Sequence, residues 1–158
     1  MVQGLVKGPR TQGYSYVVVM FVVAVMSIAS LHGLRHTKTM EQVDKEEDLL
    51  WVGKAYRNAI QAYYEGTPGS DKLYPQQLSD LLYDVRQNRP GRTLRKLYRD
   101  PMTSSADWGL VKDERGGIVG VFSKSEARPM KRNGFPSAFE NFAGAQRYSQ
   151  WQFIYQPK

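Results

Sequence analysis

YSYVVVMFVVAVMSIASL, residues Tyr14 to Leu31, is the stretch on which the fold turns. It runs eighteen residues without a charge or a proline. At about 1.5 Å of rise per residue, a helix of this length spans roughly 27 Å, close to the ~30 Å hydrocarbon core of a bilayer. Apolar character continues through Gly33 and Leu34 before Arg35, so the predicted transmembrane helix covers 14–34. A helix without a polar face would find no place in the core of so small a soluble protein.

Outward from this block the flanks differ. Upstream, MVQGLVKGPRTQG carries Lys7 and Arg10 and no acid; downstream, Arg35 to Leu50 holds three basic and five acidic residues. Basic residues on the short N-terminal flank favour a cytoplasmic leader, 1–13, and a periplasmic remainder. Ser27, Ala29 and Ser30 imitate the small-residue site of a cleaved secretory signal. Gly13, directly before the apolar run, tells against that reading, and an uncleaved signal anchor stays as the alternative.

A basic leader ending in Gly13, then aromatic Tyr14, hydroxyl-bearing Ser15 and a long apolar helix resembles the type IV pilin and type II secretion pseudopilin family. The resemblance implies cleavage after Gly13 by a prepilin peptidase on the cytoplasmic face and N-methylation of the new terminus, Tyr14. It also implies assembly through the apolar helix, for which Val17, Val18, Phe21, Val25 and Ile28 are the candidates. One position departs from the family: a glutamate is usual four residues after the new terminus, where this chain has Val18. That glutamate is thought to neutralise the N-terminal amine of a neighbouring subunit, because an isolated charge in hydrocarbon costs several kcal/mol. Its absence fits a minor subunit or a divergent lineage better than a major, self-polymerising one.

Beyond Arg35 the helix is expected to continue over 35–65 in amphipathic form. Leu49, Val52, Tyr56, Ile60 and Tyr63 fall at three- and four-residue spacing, Lys45, Glu46, Glu47, Lys54 and Arg57 fall mostly off that stripe, and Gly66 with Pro68 supplies a stop. The following GTPGSDKLYPQQLSDLLYD again resembles type II secretion pseudopilins in its tyrosine-proline pair, Tyr74 and Pro75, and in the spacing of Leu78, Leu81 and Leu82. Asp100, Pro101 and Trp108 resemble the segment before that family's first strand, and the likeness covers roughly residues 1–123. Pro75 suits the first turn of a helix. Strands are read over Asp107 to Lys112 and Gly117 to Ser123, joined as a hairpin through Asp113 to Gly116. A third places Trp151, Phe153 and Tyr155 on one aromatic face toward the helix. Residues 125–149, glycine-rich and without a period, read as a long surface loop. The expected fold class is α+β: a long N-terminal helix packed on a small three- or four-stranded antiparallel sheet, pilin-like, with residues 66–158 as the globular head.

The 158 residues include no cysteine, which excludes disulfides and thiolate metal sites. Lys and Arg number 22 against 15 Asp and Glu, a net +7 that favours anionic partners. His32 and His36 have metal-ligand spacing but no third ligand nearby, and Glu46, Glu47 and Asp48 read as a solvated helix face. SKSEARPMKRNGF offers Glu126 as its only acid against Arg128, Lys131 and Arg132, so the calcium site of major pseudopilins is not carried over. No nucleophile with a paired base and no phosphate-cradling loop occurs, and neither an enzyme nor a cofactor is expected. The chief surface feature is basic: Arg86, Arg89, Arg92, Arg95, Lys96 and Arg99, interrupted by Tyr98, are candidates for anion binding. They would serve phosphate contacts in a DNA-uptake pilin, but pairing with acidic neighbours in a filament, or plain solvation, is the favoured reading. The expectation is a structural subunit of a type II secretion pseudopilus in the inner membrane, with other pseudopilins or pilins, the prepilin peptidase and an inner-membrane assembly platform as partners. A minor type IV pilin of DNA uptake or adhesion, and an anchored periplasmic protein that never polymerises, are the alternatives.

Overall fold

The computed structural model describes residues 14–83 and 93–157, with only the backbone described over 28–39. The protein is α+β. One helix, α1, runs Tyr14–Glu65, and three short strands form an antiparallel sheet in the order β1-β2-β3. By its internal contacts the chain falls into two units, residues 1–41 and 42–158. Among the described residues no helix is long and apolar enough to cross a membrane. The transmembrane span read over 14–34 extends into 28–34, whose side chains lie outside the described residues, as does the whole leader 1–13.

Within the second unit the core is built on the helix stripe. Leu49, Val52, Tyr56, Ala59, Ile60 and Tyr63 are buried, as their three- and four-residue spacing requires of a one-sided helix. The helix stops where Gly66 and Pro68 were expected to stop it. Its last carbonyls find donors: the Thr67 hydroxyl donates to the Tyr63 carbonyl at 3.1 Å, and Lys72 Nζ to the Glu65 carbonyl at 3.0 Å. Acceptors that the helix leaves open are closed by side chains.

The sheet comprises β1 (Gly109–Lys112), β2 (Ile118–Phe122) and β3 (Phe153–Ile154). Asp113 makes the hairpin turn, its Oδ1 accepting from the Arg115 and Gly117 N–H groups at 3.1 and 2.6 Å, with Gly116 at φ +82°. Val121 pairs with both Leu110 and Phe153 across the sheet, and both Val121 and Phe153 are fully buried. Phe153 lies on α1 at Gly53, where an added Cβ would come within 2.4 Å of the ring. Strand and helix meet there because one of them has no side chain.

Three expectations change. The third strand is only two residues long, although Trp151, Phe153 and Tyr155 do point inward. The leucine segment forms a single 3-10 turn, Leu78–Leu81, in which Leu81 alone is fully buried. Residues 125–149 are not simply a surface loop. They hold two 3-10 segments, Ser137–Phe142 and Tyr148–Gln150, that bring Phe139, Phe142 and Tyr148 into the core. Phe142 stacks on Trp151 with centroids 5.5 Å apart. Large aromatic area can be buried from an irregular backbone, so the lack of a period hid this part of the core.

Candidate functional site

Two surfaces carry the candidate residues, and each belongs to its own unit. In the first, every described side chain from Tyr14 to Ser27 is exposed, including the assembly candidates Val17, Val18, Phe21 and Val25. Ile28 lies outside the described residues, as does Gly13. The apolar character goes all the way round the helix, so no polar face is left for water. The Ser27 hydroxyl donates back to the Val23 carbonyl at 2.8 Å, which satisfies a polar group within the helix itself.

In the second unit the basic cluster is divided. Arg86, Arg89 and Arg92 lie outside the described residues, while Arg95, Lys96 and Arg99 are exposed. Their segment is fixed to the core through Tyr56. The Tyr98 N–H donates to Tyr56 Oη at 2.9 Å, and that hydroxyl donates to the Tyr98 carbonyl at 3.1 Å. Trp108 Nε1 donates to the same carbonyl at 2.8 Å. Burial raises the Tyr56 hydroxyl above its ordinary pKa, partly opposed by its hydrogen bond to Tyr98. Beside this anchor Trp51 stays 59% exposed, its ring 5.2 Å from that of Tyr98. Reading the stripe for its buried members passed over Trp51; the available signal was a tryptophan lying off that stripe.

The acidic run is the clearest correction among the side chains. Glu47 and Asp48 are exposed as expected, but Glu46 is buried, 3% accessible. Its Oε1 accepts from the Met130 and Lys131 N–H groups, both at 3.0 Å. One turn earlier, Gln42 Nε2 donates to the Arg128 carbonyl and to Tyr148 Oη, both at 3.2 Å. Burial likewise raises the Tyr148 hydroxyl. Two helix residues spaced by four therefore hold the 128–131 backbone, and Arg128, Lys131 and Arg132 project from it into solvent.

Asp100 is also fully buried. Its Oδ2 accepts from the Ser123 and Thr103 hydroxyls at 2.7 and 2.9 Å, and its Oδ1 from the Met102 N–H at 2.9 Å. Those partners tie the Asp100–Pro101 turn to the end of β2, a structural task. His32 and His36 have side chains outside the described residues, and among the described residues no group of three His, Asp or Glu side chains is placed to hold a metal. Comparison with protein-family models, with curated proteins and with solved structures finds no match for this chain.

Proposed function

We propose that the chain is a prepilin-like structural subunit of a type II secretion pseudopilus, anchored in the inner membrane by residues 14–34 with its head in the periplasm. The observation that carries the reading is the glycine-tipped basic leader running into an uncharged apolar block, Tyr14 to Leu31. The exposure of all its described side chains, on a helix whose later turns pack beneath a three-stranded sheet, supports it.

The working principle is packing. Each large apolar side chain left in water forgoes about 1.5–3 kcal/mol, so Val17, Val18, Phe21 and Val25 need cover at every stage. Lipid supplies it before assembly. Inside the bilayer, helices gain little from leaving lipid and associate mainly by close van der Waals contact, which β-branched valines with restricted rotamers provide at low entropic cost. Once a subunit is drawn out of the bilayer, the same contacts also keep water away, and the assembled helix bundle becomes self-holding.

Removal of the leader would leave an amine on Tyr14, at the helix end where the backbone dipole disfavours positive charge. With Val18 in place of an acid, no carboxylate within this segment answers that charge, which favours a minor position in the filament. Intact mass of the mature protein tests the reading. Loss of Met1 to Gly13 with one added methyl group is expected; retention of the leader, or a cut near Ser30, overturns it.

A further inference from the structure

Beside the exposed Trp51, among the described residues, lies a groove where an apolar floor, an aromatic wall and a cation meet. Ala55, Ala59 and Leu94 form the floor, Trp51 and Tyr98 the wall, and Arg95 the rim. Lys96 Nζ lies 5.3 Å from the ring centroid of Tyr98, one of the wall residues, and Arg99 follows in sequence as a further exposed cation. Among the described residues, neither Arg95 nor Lys96 nor Arg99 makes an ion pair, and no acid lines the groove.

We propose that this groove docks an acidic segment of a partner protein, with an apolar side chain seated over Ala55 and Ala59 against Trp51, and carboxylates facing Arg95, Lys96 and Arg99. Small side chains on α1 leave room for the incoming group. The two hydrogen bonds between Tyr56 and the Tyr98 backbone hold the Tyr98 side of the wall in place before binding, so less ordering remains to be done on arrival. Trp, Tyr and Arg are the residues that most often dominate protein interfaces, and all three occur here within one groove. Charge complementarity then selects an acidic partner and speeds its approach.

A nucleic acid is the less suitable occupant. Single strands bind by stacking bases on open aromatic faces, whereas the Tyr98 ring is already engaged by Trp51, by Tyr56 at 6.3 Å and by Lys96.

The test uses the full chain in zwitterionic detergent micelles. Its probe is a fluorescein-labelled peptide of alternating glutamate and leucine, followed by anisotropy. Saturable binding that weakens with salt is expected, together with an affinity loss of about tenfold or more in Trp51→Ala and in the Arg95→Ser, Lys96→Ser, Arg99→Ser triple variant. Arg132→Ser, which removes an exposed cation outside the groove lining, should bind as the parent does. Circular dichroism of the variants separates lost binding from lost fold. The proposal is overturned if the acidic peptide fails to bind, if a lysine-leucine peptide binds equally well, or if an oligothymidylate binds more tightly. Self-association of the chain that Trp51→Ala abolishes would also overturn it, by assigning the groove to a second copy.

Discussion

At the scale of single residues, Glu46 shows how little a local run of charge says about burial. It stands beside Glu47 and Asp48 on the same helix, yet it alone meets a backbone that needs an acceptor. Glu46→Ala would leave two part-buried N–H groups without their carboxylate and should cost about 1–3 kcal/mol. A urea denaturation midpoint will measure it. Glu46→Gln keeps an acceptor oxygen and should lose less, and Glu47→Ala should stay within about 0.5 kcal/mol of the parent. The buried tyrosines give a pH dependence whose sign follows from their raised pKa values. Tyr56 and Tyr148 hold their protons more tightly folded than unfolded, so between the unfolded value of about 10 and the higher folded value the native state binds more protons. The stability contributed by these two hydroxyls should be level up to about pH 9 and fall as pH rises through and beyond 10. In Tyr56→Phe part of this alkaline decline should disappear, along with about 1–3 kcal/mol of stability at neutral pH, since the Tyr98 N–H loses its acceptor.

At the scale of elements, the contact between α1 and β3 is made by an absence. Gly53 lets the Phe153 ring lie on the helix. A methyl group there must displace a fully buried aromatic, so Gly53→Ala should destabilise by about 1–3 kcal/mol despite its better helix propensity. Combining it with Phe153→Leu should recover part of that loss, a coupling that a double-mutant cycle would read. If the two changes simply add, the steric account fails. The elements were legible to different degrees. The stripe from Leu49 to Tyr63 and the hairpin around Asp113 to Gly116 follow rules of local spacing and turn chemistry, and both stand in the structure. The stretch from Ser125 to Ser149 follows neither, because 3-10 turns and irregular backbone impose no period on the aromatics they bury.

At the scale of the whole molecule, α1 from residue 42 onward belongs to the same contact unit as the three-stranded sheet. Native-state hydrogen exchange should show it: amides from Leu49 to Tyr63 and those of β2 are expected to open together, with one shared free energy. Markedly earlier exchange along the helix would mean that it folds apart from the sheet. The sequence by itself determined the α+β class, the amphipathic stripe and its stop, the hairpin and the inward aromatics of the last strand, because each follows from local periodicity or turn chemistry. It also carries the apolar block from Tyr14 to Leu31, on which the prepilin reading stands. Only the tertiary structure decided that Glu46 is buried, that Trp51 walls a cationic groove, and that Phe139, Phe142 and Tyr148 belong to the core. Those outcomes depend on residues brought together from 42 to 106 positions apart, as Tyr56 with Tyr98, Glu46 with Lys131 and Gln42 with Tyr148 illustrate. Spacing along the chain constrains neighbours within a turn or a strand; it does not say which distant backbone will present a donor or which ring will close over a gap.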